Sequence, residues 1–180
     1  MLNSMKMILL ATAMTVLTMV PAFSETVALN QNTTPSDYLA VVDALHRFTW
    51  GMDTDNVQLI GSAFAENGTA DFSTAAKTLG IAFPAITGRS NIEKGLGGFA
   101  SGLITSHIVA NARVNVDGKS ALLYALVEAQ HLPLKDRSRH LLLSNAYTVK
   151  LVRNGGSWLI QNMSVENIWS EGDIKVVTGG

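Results

Sequence analysis

The chain contains no cysteine. That excludes a disulfide framework, thiol catalysis and any cysteine-ligated metal centre, so the hydrophobic core must hold the fold by itself. Charge is also sparse and nearly balanced, with 13 basic against 14 acidic residues among 180. No basic excess marks a nucleic-acid or anionic-membrane partner. Apolar runs are short as well. The longest, Met7 to Val20, covers about 14 residues, whereas a helix needs roughly 20 to cross a bilayer. Internal repeats and low-complexity tracts are missing too.

What is present begins with a leader. A short lead carrying Lys6, the apolar run, and small residues around Pro21-Ala22-Phe23-Ser24 have the layout of a secretory signal over residues 1–24, cut after Ser24. Cleavage removes one lysine and leaves a formal charge of about −2. The mature protein is then expected outside the cytoplasm, periplasmic or secreted, with no membrane attachment. Residues 25–35 read as a flexible mature N-terminus, residues 36–168 as one domain and residues 169–180 as a frayed tail. Sequons at Asn32, Asn67 and Asn162 are close to the number that composition alone gives.

Order should begin with a helix. Thr34 is placed to cap it, Pro35 to occupy its first position and Asp37 its first turn. Tyr38, Val41, Val42, Leu45, Phe48 and Met52 then recur at three- and four-residue spacing. A second helix is expected with Thr54 or Asp55 as cap, Val57, Ile60 and Phe64 as its stripe, and Gly68 as its stop. "TADFST" reads as a short strand, and the stretch around Pro84 and Gly88 as loop or edge strand. "GRSNIEKGLGGFASG" reads as a short third helix capped by Ser90. Gly95, Gly97, Gly98 and Gly102 read as a flexible connection, because a phosphate-binding loop would follow a strand and precede a helix.

From residue 104 the period becomes alternating. Strands are expected over 104–116, 120–132, 139–153 and 157–168, joined by Asp117-Gly118, Pro133 to Ser138 and Asn154-Gly155-Gly156, which is hairpin chemistry. Helices first and strands afterwards predict an α+β fold with an antiparallel meander. Strict alternation sets His107, Val109, Asn111, Arg113 and Asn115 on one face and Ile108, Ala110, Ala112, Val114 and Val116 on the other. The next strand carries Ala121, Leu123, Ala125, Val127, Ala129 and His131 on one face. Small residues on the concave side of a curved sheet leave room for a cavity, with His131 as a polar group in an apolar wall. Asp53, at the end of the first helix stripe, needs a partner there, because a buried unpaired carboxylate costs several kcal/mol. An imidazole held by that carboxylate has a fixed tautomer and one nitrogen free for proton transfer. His46 and His140 read as solvated.

The order "FTWGMDTDN", "LIGSAFAENG", "TSHIVAN" and "YTVKLVRNGGSWLI" resembles the SnoaL-like branch of the nuclear transport factor 2-like superfamily, over about residues 36–168. The resemblance implies a cone: a curved antiparallel sheet wrapped around N-terminal helices, with a pocket inside. It implies an Asp-His pair at Asp53 and His107, a second histidine at His131, and an asparagine matched loosely by Asn111 or Asn145. In the related dehydratase one of the tyrosines that polarise the substrate carbonyl comes just before the Asp, where this chain has Trp50, Gly51 and Met52; Tyr124 or Tyr147, neither matched by motif, is left to compensate. Trp50 and Phe64 read as apolar wall. No metal or cofactor is expected, since no local spacing supports a two-histidine, one-carboxylate set. The expectation is a cofactor-free lyase or isomerase acting on a small hydrophobic carbonyl compound, or a binding protein of the same fold without turnover. Apolar outward rows, Ile108, Ala110, Ala112 and Val114 with Leu122 and Leu126, predict a homodimer through sheet faces.

Overall fold

A computed structural model describes residues 33–179. The expected signal segment, its cleavage point and the Asn32 sequon lie outside the described residues. The N-terminal helix α1 spans Pro35–Asp53, and the Thr34 side chain accepts from the backbone N–H of Asp37, as the capping grammar predicts. Val41, Ala44, Leu45, Phe48 and Met52 form its buried stripe. Each large side chain removed from water there stabilises the fold by roughly 1.5–3 kcal/mol. Thr33, assigned to the flexible N-terminus, is tied down: its hydroxyl accepts from the N–H of Val116 at 3.1 Å.

Helix α2 (Val57–Ser62) is shorter than its stripe suggests. Its cap is Asn56, whose side chain accepts from Leu59 N–H, while Thr54 is engaged by the carbonyl of Trp50 and Asp55 adopts a left-handed backbone (φ 50°). Phe64 therefore belongs to strand β1 (Phe64–Asp71), not to the helix. The expected strand "TADFST" divides between the end of β1 and a short helix α3, Ser73–Thr78. A two-residue strand β2 (Ile86–Thr87) follows. Helix α4 (Arg89–Ala100) starts from Gly88, without a side-chain cap, so Ser90 does not cap it. Gly95, Gly97 and Gly98 lie inside α4 and are no flexible connection. A Cβ on Gly97 would come within 2.6 Å of Val57 Cγ2, so the glycine lets α4 approach α2.

The meander follows as β3 (Leu103–Asp117), β4 (Ser120–Pro133), β5 (Leu141–Asn154) and β6 (Ser157–Gly172). β6 outruns its expected end, and a short helix α5 (Lys175–Thr178) occupies the tail read as frayed. The six strands form one mixed sheet in the order β2-β1-β6-β5-β4-β3. The meander is antiparallel throughout, whereas β1 pairs parallel to β6. The α+β expectation holds: a curved, unclosed sheet is packed on N-terminal helices, and α1 contributes Leu45 and Phe48 to a core shared with Val114, Leu123, Val149 and Met163.

One irregularity changes which way residues face. The β3–β4 register shifts between Ala110 and Arg113, and Asn111 sits in the shift with φ 52°. Such a bulge inserts one residue and reverses the alternation beyond it. Before it His107 and Val109 face inward; after it the inward set is Ala112, Val114 and Val116, with Val114 fully buried. Ala112 and Val114 are thus not part of an outward row, and Asn111 is exposed, away from the interior.

Candidate functional site

The site is assembled where the end of α1 meets the start of β3. Asp53 closes α1, and Thr105 and His107, two residues apart on β3, project toward it on one face. Asp53 Oδ1 accepts from the ring Nδ1–H of His107 at 2.5 Å and from the Thr105 hydroxyl at 2.9 Å; Oδ2 accepts from the backbone N–H of His107 at 2.8 Å. The Thr105 hydroxyl also lies 3.2 Å from the carbonyl of Met52. The side chains are well enclosed, His107 with 5% and Asp53 with 15% of their surface exposed.

Burial by itself raises the pKa of Asp53. The hydrogen bond from the His107 ring, the charge on that ring, its backbone N–H and Thr105 outweigh the burial and hold the carboxyl below the usual range. An ionised Asp53 keeps the shared proton on Nδ1 of His107. Nε2 is then the ring nitrogen left for the interior.

That interior is a cavity of about 110 Å³, lined by Phe48 and Met52 of α1, Phe99 of α4, His107, and Ala129 and His131 of β4, among others. Asn145 and Tyr147 of β5 also face it. His131 pairs in register with Thr105, and Ala129 with His107, so the two histidines come from neighbouring strands and their rings meet edge to face at 6.0 Å. The Nδ1 of His131 points at the carbonyl of Leu141 at 3.4 Å. A carbonyl only accepts, so this nitrogen carries the proton. Burial first, and the charge of His107 second, lower the pKa of His131 to about 4, so it is neutral at pH 7. Tyr147 is equally enclosed, and burial together with the Asp53 charge pushes its phenol well above 10.

Of the residues expected from sequence, His107, His131, Asn145 and Tyr147 line the cavity, and Asp53 stands behind His107, bonded to its ring. Three are elsewhere. Trp50 is 64% exposed: it lies about 200° around the helix from Met52, which faces the cavity. Phe64 is fully buried behind the wall, edge to face with Phe48 at 5.8 Å. Asn111 is carried outward by the bulge. Tyr124 is no part of the lining either, so Tyr147 is the tyrosine available to a ligand.

Sequence reading missed Thr105 as a working residue, although it stands in the quoted "TSH". It also missed an aromatic file from Phe72 through Phe83 and Phe99 to His131, each ring edge to face with the next at 5.6–6.1 Å. Phe72 and Phe83 flank the short α3, in a stretch with no clear period, and Val177 reaches the cavity from the tail. Among the described residues no group of three metal-ligating side chains is placed to hold an ion.

The SnoaL-like domain family matches residues 33–164. No curated protein sequence matches the chain. Solved structures share the fold at low identity. One is a putative aromatic ring hydroxylase from Novosphingobium aromaticivorans, with TM-score 0.69 and 17% identity over 79% of this chain and 96% of that one. A second is a putative scytalone dehydratase from the same organism, with TM-score 0.66 and 18% identity over 77% and 88%. A third is a hexachlorocyclohexane dehydrochlorinase from Novosphingobium barchaimii, with TM-score 0.64 and 12% identity over 77% and 91%.

Proposed function

Because the chain belongs to the SnoaL-like domain family, we propose that its cavity is the reaction chamber of a cofactor-free lyase or isomerase for a small hydrophobic carbonyl compound, with His107 as general base and Asp53 orienting it. The observation that carries this is the 2.5 Å contact between His107 Nδ1 and Asp53 Oδ1 at the wall of an apolar cavity. A carboxylate on one ring nitrogen makes the other a better proton acceptor, and exclusion of water strengthens each charge interaction inside. Two structural neighbours are named for eliminations, a dehydratase and a dehydrochlorinase, which is the reaction type favoured here.

In such a step Nε2 of His107 takes the proton from the carbon beside the carbonyl. The C–H electron pair becomes the new double bond, and the bond to the leaving oxygen or halogen breaks on the next carbon. A hydroxide departs as water with the proton that the imidazolium returns; a halide departs as the anion. His131, neutral and adjacent, offers a polar contact without adding a second positive charge.

The test is elimination from single-ring β-hydroxy and β-chloro ketones, beginning with 3-hydroxycyclohexanone and reading cyclohexenone by chromatography. His107→Gln and Asp53→Asn are each expected to slow it roughly 10²-fold or more. Turnover that survives both changes removes the general-base reading; binding of these ketones by the wild type with no turnover leaves a ligand-binding protein. The same proposal places the mature chain outside the cytoplasm and pairs it through the outer sheet faces, now reduced to Ile108 and Ala110 with Leu122 and Leu126. Cell fractionation and sedimentation across a concentration series test these two points; a cytoplasmic product or a persistent monomer refutes the corresponding one.

A further inference from the structure

The walls of the cavity differ in how firmly they are tied. Across the meander, the β ladders join β3 to β4 and β4 to β5 along their lengths. The chain entering α5 is anchored too: Asp173 donates its N–H to the His140 carbonyl at 2.8 Å, and its carboxylate takes the Arg139 guanidinium at 2.9 Å. The stretch between β1 and β2 is held differently. Its helix α3 and the turn that follows supply Ala75, Ala76, Leu79 and Ile81 to the cavity, while Ser73, Thr74, Lys77, Thr78 and Gly80 face solvent. Its hydrogen bonds are local. Ser73 N–H reaches Asp71 Oδ1, and the amides of Ala76, Leu79, Gly80 and Ile81 return to carbonyls between Phe72 and Lys77. None of these bonds crosses to another wall of the cavity. With six residues, α3 is shorter than the roughly 12 that an isolated helix needs, so apolar contact holds it in place.

Two features give the stretch a fixed base and a defined tip. Phe72 and Phe83 close its base, edge to face at 5.6 Å, and Phe83 meets Phe99 of α4 in the same way at 6.1 Å. At the tip α3 ends in a Schellman motif: Ile81 N–H bonds the Ala76 carbonyl at 2.9 Å and Gly80 N–H that of Lys77 at 3.1 Å, with Gly80 in left-handed backbone, φ 72°. That turn carries the chain from Leu79 to Ile81, both on the cavity. We infer that residues 73–82 are the gate of the chamber: the segment opens about its Phe72–Phe83 base to admit or release a ligand and closes to restore the apolar wall. Local opening of this kind falls to segments with few bonds to the rest of the fold. This deepens the proposed function by saying how its site is reached; it rests on the cavity being a ligand chamber and not on turnover.

Gly80 tests the gate without touching the chamber. It is not part of the lining, and a Cβ there meets nothing within 4 Å, so Gly80→Ala strains only the closed turn. Cyclohexanone, which has no group to eliminate, is the probe, and NMR relaxation dispersion of its protons gives its association and dissociation rates. Both should rise about tenfold in Gly80→Ala, the cost of a left-handed alanine. Kd should stay unchanged, because the turn is strained equally in the empty and the occupied protein. Gly80→Asn, which tolerates that backbone, should stay near wild type. In wild-type protein the amides of Ala76, Leu79 and Ile81 should exchange with deuterium as one group, faster than those of the buried stripe of α1. Exchange no faster than α1, unchanged ketone rates in Gly80→Ala, or a rise confined to dissociation each overturns the gate while leaving the chamber in place. If cyclohexanone does not bind the wild type, the chamber itself is refuted and the gate with it.

Discussion

Asp53 occupies the end of α1 at which the helix dipole opposes a negative charge. Three donors hold it there, and Thr105 is the one that sequence patterning passed over. Removing that donor with Thr105→Val should raise the Asp53 pKa, read from carboxyl ¹³C shifts during NMR titration, and Thr105→Ser should restore it. An unchanged titration in the valine variant would assign Thr105 to packing alone. His131 gives a separate signature. Its ordinary value is 6.5 and its folded value about 4, so between those pH values the unfolded chain binds the proton that the folded chain refuses. Stability should therefore fall as pH drops from about 6.5 to 4, by roughly 3 kcal/mol, and level off below as far as this residue is concerned. The lowered carboxyls of Asp53 and Asp37 act in a different window: their contribution is full above about 3.8 and lost as pH falls further. Urea unfolding at stepped pH should show the upper slope flattened in His131→Gln; an identical slope in both proteins contradicts the assignment.

Among the elements, α4 offers a contrast within one helix. Gly97→Ala places a methyl against Val57 and should destabilise by about 1–3 kcal/mol. Gly98→Ala meets nothing within 4 Å and should stabilise by up to about 1 kcal/mol, the helix-propensity difference. Chemical denaturation of both variants checks the opposite signs. The same helix shows why the sequence was only partly legible. Glycines lower helix propensity, so "GLGGFASG" read as a loop, whereas the contact that requires one of them is made by Val57, some 40 residues earlier. Phe64 fell on the helical period of α2 by coincidence, and its pairing with Ile160 in β6 overrode that period. The meander was readable because its turns carry Asp-Gly and Asn-Gly-Gly. Its bulge was not, since alternation looks unbroken through Asn111. That asparagine tolerates the left-handed backbone, so Asn111→Gly should retain stability and Asn111→Val should lose it, with ligand affinity unaffected in the glycine variant.

At the scale of the whole molecule, the cavity is an open place bordering the apolar core. Ala129 lies beside His107 in register and lines that space. Ala129→Leu should fill part of it, raising the melting temperature while abolishing cyclohexanone binding, the usual exchange of function for stability; a variant that binds the ketone as well as wild type would place the ligand elsewhere. The positions of Asp53 and His107 were legible because short motifs carry them, and that of His131 because it ends an alternating row of small apolar residues. Phe83 and Val177 were not, because each comes from a segment without periodicity and acquires its place only when the sheet curls and the chain end folds back over it.

The chamber's aromatic walls are phenylalanine, tyrosine and histidine. The three indoles lie elsewhere: Trp50 and Trp169 at the surface and Trp158 buried against the Arg153 guanidinium. Intrinsic fluorescence should therefore stay nearly silent when the chamber fills. The report comes instead through magnetic shielding: a guest entering beside Phe99 and His131 alters the ring currents felt by the imidazole C–H protons, so the proton spectrum of two histidines becomes the natural gauge of occupancy.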